Sequence, residues 1–325
     1  MKPSFDLIRS AAFGTERVEQ KDGKIQFFRF TKAEEEVYKN GERVDFYEKT
    51  FCTSGVRLSF KSDTKKLSFF YELLNRPSRK YAYFDVFCNG ALYRHFGCET
   101  EEITSASVSV TFPEGEKDIE IYFPWTAKTV ISDFEIDDGA SFIPTKRKIT
   151  MINYGDSITQ GYDAAYPSLS YASVISRLLD ADSVNKAIGG ERFCPELLVE
   201  ANGKPDIVTV AYGINDWANY TYDYIKERSR KFYKRVSELY PESKIFVITP
   251  INYLNSGVSD FGAPAIEVDK LLRENCRDLP NVTVIRGWYF TPDLPEFYYD
   301  KVLHPNDLGF SLYAENLYKE MLKYL

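Results

Sequence analysis

Residues 148–161 read KITMINYGDSITQG. The first seven residues are rich in apolar and β-prone side chains, as in a strand buried in a sheet. The run breaks at Gly155-Asp156-Ser157. Beyond it Tyr171, Val174, Ile175, Leu178 and Leu179 recur at helical spacing. A strand that runs through a tight turn into a helix starts a parallel α/β unit.

The rest of the chain continues that alternation. SVNKA (183–187) and DIVTVAYG (206–213) read as strands, and a long helix carries Ile225, Phe232, Val236 and Leu239. KIFVITP (244–250) is a further strand, followed by a helix around Ile266 to Leu272 and by the strand NVTVI (281–285). An amphipathic helix with Leu312, Leu317, Met321 and Leu325 closes the chain. This order predicts a five-stranded parallel sheet with helices on both faces, its functional residues at the carboxyl ends of the strands.

Upstream the period changes. GVRLSF, KLSFFYEL, SVSVTF and DIEIYF are short alternating or aromatic-rich strands. Asn89-Gly90 lies between AYFDVFC and ALYRHFG, and Asn40-Gly41 between EEEVYK and ERVDFY. Both pairs predict tight hairpin turns, because both residue types accept positive φ. Residues 1–144 are therefore expected to form an all-β sandwich, jelly-roll-like, and residues 145–325 the α/β domain. With 325 residues the chain is long enough for two cores.

Composition excludes several functions. The net charge of −7 offers no electrostatic footprint for nucleic acid or an anionic membrane. Arg228, Arg230, Lys231, Lys234 and Arg235 sit at helical spacing and read as a solvated face. No apolar run approaches the roughly 20 residues of a membrane span. The N-terminus lacks the apolar core of a signal peptide, and the five cysteines are odd in number with no Cys-x-x-Cys pair. These features together predict a cytoplasmic protein. With only His95 and His304 present, most zinc sites are ruled out, and no metal or organic cofactor is expected.

Chemistry-bearing residues follow four strand ends. They are Gly155 to Gly161, Asn185 to Glu191 (NKAIGGE), Tyr212 to Trp217 (YGINDW) and Asp300 to Asp307 (DKVLHPND). A serine at a strand-to-helix turn exposes its hydroxyl and becomes a nucleophile if a base takes its proton. Gly190 allows close backbone approach to a substrate, and Asn215 offers uncharged N–H donors suited to a developing oxyanion. Each also has a plainer reading: Ser157 as a helix cap, Gly189-Gly190 as a turn, Asn215 as a loop organiser, His304 as structural.

The four blocks, in this order, resemble the SGNH/GDSL hydrolases over roughly residues 148–325. That resemblance implies a flavodoxin-like, three-layer SGNH hydrolase domain. It implies Ser157 as nucleophile, His304 as base, and an oxyanion hole of the Gly190 and Ser157 main-chain N–H groups with the Asn215 side chain. The family pattern commonly has an aspartate three residues before the histidine. Lys301 stands there, and Asp300 comes one residue earlier. Asp300 is the acid expected to orient His304, with another carboxylate or a main-chain carbonyl as alternatives. Trp217 is a candidate wall of the substrate pocket, core packing being the alternative. Asp156 and Asp216 are read as loop-holding, Asp307 as the start of the last helix, and His95 as structural.

An N-terminal sandwich joined to such a domain resembles carbohydrate esterases. The expected activity is hydrolysis of short-chain, chiefly acetyl, esters of a small-molecule or oligosaccharide substrate through an acyl-enzyme. An acyltransferase, a lipase or thioesterase of the same fold, and a carbohydrate-binding protein with little catalysis remain the alternatives.

Overall fold

The computed structural model describes residues 1–41, 43–254 and 257–325. Its first half is built on two antiparallel sheets. One runs Ala12–Phe13, Arg57–Ser62, Lys117–Tyr122, Ala82–Cys88, Ala91–Cys98, with Ile143–Pro144 also paired to Arg57–Ser62. The other runs Arg17–Lys21, Lys24–Phe28, Lys128–Ile136, Lys66–Asn75, Ser105–Thr111. Alternation along the strands turns Phe60, Phe69, Phe84 and Phe134 into the space between the sheets, where all four are buried. Phe84 stacks on Phe96 at 5.1 Å, and Phe69 on Phe134 at 6.1 Å. Much of the chain's aromatic content is thus used as sandwich core.

The two Asn-Gly pairs have different fates. Asn89 and Gly90 take φ of 51° and 79° and join paired strands, as a tight hairpin requires. Asn40-Gly41 does not form a hairpin. Asn40 caps the C-terminus of a helix, Lys32–Lys39, and a second helix, Val44–Thr50, follows. The first helix has a complete capping box, in which Thr31 accepts from the Glu34 amide and Glu34 accepts from the Thr31 amide. The T-x-x-E pattern and the helix-forming Ala-Glu-Glu-Glu run outweigh the turn signal that follows them.

The second half has a five-stranded, all-parallel sheet. Its order is Ala181–Asn185, Ile149–Gly155, Ile207–Ala211, Lys244–Ile248, Val282–Ile285. One face is covered by helices Tyr171–Leu178 and Asp307–Met321, whose Ile175, Phe310, Tyr313 and Leu317 pack on Met151 and Phe246. On the other face, Tyr222–Leu239 and Glu267–Cys276 bring Ile225, Phe232, Val236 and Leu271 against Ile152, Val208 and Val247. Chain direction across the sheet reverses between the first strand and its neighbour Ile207–Ala211, which opens a crevice at their carboxyl ends.

The halves share buried structure. Phe30, Tyr38 and Phe46, from the helical insertion, belong to the same apolar cluster as Phe193, Tyr212 and Phe232. Arg29 is fully buried and donates to the carbonyls of Asn185 and Ala187 on one side and of Cys52 and Lys49 on the other. The buried Lys186 ammonium lies between the carboxylates of Glu34 and Glu16, both from the first half.

Candidate active site

Ser157 opens the short helix Ser157–Gln160 directly after the first parallel strand. Asp156 is its N-cap and accepts from the Ile158 amide at 3.0 Å. The hydroxyl of Ser157 lies 2.9 Å from His304 Nε2, and His304 Nδ1 lies 2.7 Å from Asp300 Oδ2. An Nδ1–H that donates to Asp300 leaves the Nε2 lone pair facing the serine, the arrangement a general base needs.

The extra residue between Asp300 and His304 is absorbed locally. Lys301 adopts a left-handed φ of 66°. The tightened loop lets Asp300 Oδ1 accept from the amides of Val302, Leu303 and His304, at 3.0, 2.8 and 3.1 Å. One oxygen is thereby fixed by the backbone, and the other is presented to the imidazole. Burial works against the Asp300 carboxylate. Its hydrogen bond to His304 and the Leu303 and Val302 amides outweigh that cost and hold it well below the usual range.

Gly189 and Gly190 come from the loop after Ala181–Asn185. Gln160 Oε1 accepts the Gly189 amide at 2.7 Å, and Lys49 donates to the Gly189 carbonyl at 2.9 Å. A Cβ on Gly189 would fall 2.2 Å from the Tyr162 ring, so only glycine fits there. Gly190 has a φ of 89°, with Phe46 behind it. Asn215 Nδ2 donates to the Glu191 carbonyl at 3.1 Å, which ties the third block to the residue after Gly190. Among the described residues, no acceptor takes the main-chain N–H of Gly190 or of Ser157. Two backbone donors and the second Asn215 N–H thus follow the carboxyl ends of the neighbouring strands Ile149–Gly155, Ala181–Asn185 and Ile207–Ala211.

The model of the GDSL-like Lipase/Acylhydrolase family matches residues 154–312, a span that contains Ser157, Gly190, Asn215, Asp300 and His304. Residues 154–312 thus resemble the GDSL-like lipase/acylhydrolase family. Among solved structures, a salicylyl-acyltransferase from a tetracycline biosynthetic pathway is similar at a TM-score of 0.81 and 20% identity, over 96% of this chain and 94% of that one. A family two carbohydrate esterase from Cellvibrio japonicus is similar at a TM-score of 0.67 and 15% identity, over 98% and 96%. One from Clostridium thermocellum, in complex with cellohexaose, gives 0.63 and 16%, over 84% and 95%. No curated protein sequence matches significantly.

Trp217 is buried in the core, and its indole N–H donates to the Ala263 carbonyl at 2.8 Å. His95 is held by Asp85 at 2.7 Å and stacked between Tyr83 and Tyr166. Asp307 begins the last helix and accepts from the Tyr166 amide. Reading strand ends alone misses Phe46, Lys49, Arg79 and Asp163. The first three come from the other half of the chain, and no local pattern marks them. Asp163 lies just past the first block, and its left-handed φ of 70° is one that aspartate tolerates.

Asp216 and Asp156 are buried carboxylates beneath the site. Burial pushes both up to about 7, against the opposing amide donors of Phe193 and Ile158. An aspartate raised in this way binds its proton more tightly folded than unfolded. Its protonated form favours folding, so stability falls as pH rises from about 4, where the unfolded side chain titrates, to about 7. Asp216→Asn keeps an acceptor for the Phe193 amide and removes this titration. The variant is expected to lose less melting temperature than the wild type between pH 5 and pH 8. The difference should be a few degrees, at about 2–4 °C per kcal/mol of linkage. Parallel slopes in thermal melts would contradict it.

Proposed function

We propose that the protein is a serine esterase that works through an acyl-enzyme on short acyl groups, acetyl above all, carried by a carbohydrate hydroxyl. The relay from Ser157 to His304 to Asp300, with spans of 2.9 and 2.7 Å, is the observation that carries this reading. His304 Nε2 takes the hydroxyl proton as Ser157 Oγ attacks the ester carbonyl, and Asp300 stabilises the imidazolium. The oxyanion is received by the N–H groups of Gly190 and Ser157 and by the Asn215 side chain. His304 then protonates the leaving alcohol, and the same base activates water for deacylation. These steps draw only on the chain's own residues.

The acyl and alcohol classes rest on architecture. Family two carbohydrate esterases share this two-part fold, and one of them is seen with cellohexaose. A second reading, acyl transfer to an alcohol other than water, is favoured by the salicylyl-acyltransferase, which shares the fold over 96% of the chain. Both readings use the same residues and diverge only at the acyl-enzyme.

A p-nitrophenyl ester series from acetate to octanoate tests the proposal, run with and without an added sugar alcohol. The expected result is highest kcat/KM on acetate, with free acid as the product. A preference for long chains would remove the carbohydrate-acetate assignment. Acyl transfer to the added alcohol in place of free acid would establish the transferase reading.

A further inference from the structure

A second carboxylate faces His304. Asp163 Oδ2 lies 3.9 Å from Nδ1, on the same side of the ring as Asp300, and its side chain is fully buried. The charge is balanced from the other half of the chain. Arg79, in the loop between strands Lys66–Asn75 and Ala82–Cys88 of the sandwich, forms a two-pronged pair with it. Nε donates to Oδ1 at 2.7 Å and Nη2 to Oδ2 at 2.9 Å. The same guanidinium lies over the Tyr162 ring at 4.8 Å, and that ring stacks near the His304 imidazole at 5.8 Å. Tyr162 also donates to Ser78, the residue before Arg79, at 2.9 Å.

We propose that Asp163 and Arg79 are positioning residues for His304: the sandwich loop supplies the cation that neutralises a buried carboxylate behind the base, and so sets the balance between imidazole and imidazolium. This rests on His304 being the base. The charged and titratable groups around the ring are Asp300 on its own loop, Asp163 and Tyr162 after the nucleophile helix, Asp156 at that helix's cap, and Arg79 from the sandwich. Asp300 is half-exposed and free to exchange with solvent, whereas Asp163 is sealed from it. An unscreened charge at 3.9 Å in a low-dielectric setting acts strongly on its neighbour. Arg79 therefore determines how much of the Asp163 charge His304 feels. The pair acts as a balanced dipole, and removing either half unbalances it in a known direction.

The chain has two histidines, so imidazole Cε1–H resonances can be assigned by comparison with His304→Gln and followed against pH by NMR without any substrate. In Arg79→Gln the uncompensated carboxylate favours the imidazolium, and the His304 midpoint is expected to rise. In Asp163→Asn the uncompensated guanidinium disfavours it, and the midpoint is expected to fall. Each shift should be about one pH unit or more. Arg79→Lys, which keeps the charge, should stay near the wild type and serves as the folded control if Arg79→Gln is unstable. Midpoints that do not move, or that move the same way in both variants, would overturn the proposal. The titration needs no turnover, so a failed esterase assignment and a failed positioning role are told apart: the first shows in the ester series, the second in the resonances.

Discussion

Ser157→Ala is expected to abolish ester hydrolysis, lowering kcat by about 10⁴–10⁶-fold while leaving the fold intact. The substitution removes the hydroxyl oxygen that lies 2.9 Å from His304 Nε2, and with it any acyl-enzyme. It leaves the main-chain donor at 157 in place, so residual catalysis would come from the oxyanion site and from binding alone. The side chain is buried and small, and the turn is capped by Asp156, so the loss should not be structural. Kinetics on p-nitrophenyl acetate, paired with a melting curve, separates the two. Retained turnover at wild-type stability would place the chemistry elsewhere.

Asp300→Asn carries the second-largest expected loss, on the order of 10³–10⁴ in kcat. Asparagine can still accept the three loop amides at Oδ1, so the tight turn through Lys301 should persist. What it cannot do is accept the Nδ1 proton through the other atom, which becomes an amide nitrogen. The imidazole then turns its proton arrangement the wrong way for the serine. Steady-state kinetics checks this, and a drop of only a few-fold would show that His304 is oriented by another group. Asp163, already 3.9 Å from the same nitrogen, would be the first to consider.

The parallel sheet was legible because Ile149–Gly155, Ile207–Ala211 and Lys244–Ile248 are short apolar runs each followed by a helix with an apolar stripe. The serine, the two glycines and Asn215 follow strand ends, and His304 lies in the loop before the last helix; topology gathers side chains that are far apart in sequence. Asp300 was legible as a candidate only, since its delivery depends on a positive φ at Lys301 that no residue type announces. The helices Lys32–Lys39 and Val44–Thr50 were hidden by Asn40-Gly41, although Thr31 and Glu34 mark the first of them. Trp217 shows the converse problem: its place next to Asn215 in sequence says nothing about which way a helical side chain faces. Lys49, Phe46 and Arg79 act on the site through tertiary contacts, for which local sequence holds no signal.

The burial of Arg29 bears on the order in which the molecule can be completed. Its guanidinium is satisfied in part by carbonyls of Asn185 and Ala187, some 150 positions further along the chain. Phe30, Tyr38 and Phe46 likewise pack against side chains from Phe193 onward. During synthesis from the N-terminus, the two antiparallel sheets can pair as soon as residues up to Pro144 have emerged. The helical insertion cannot: its cation and its aromatic rings must wait, wetted or chaperoned, until the parallel sheet is present. The early part of the chain therefore matures in two stages, and the later stage is the one that assembles the floor under Gly190.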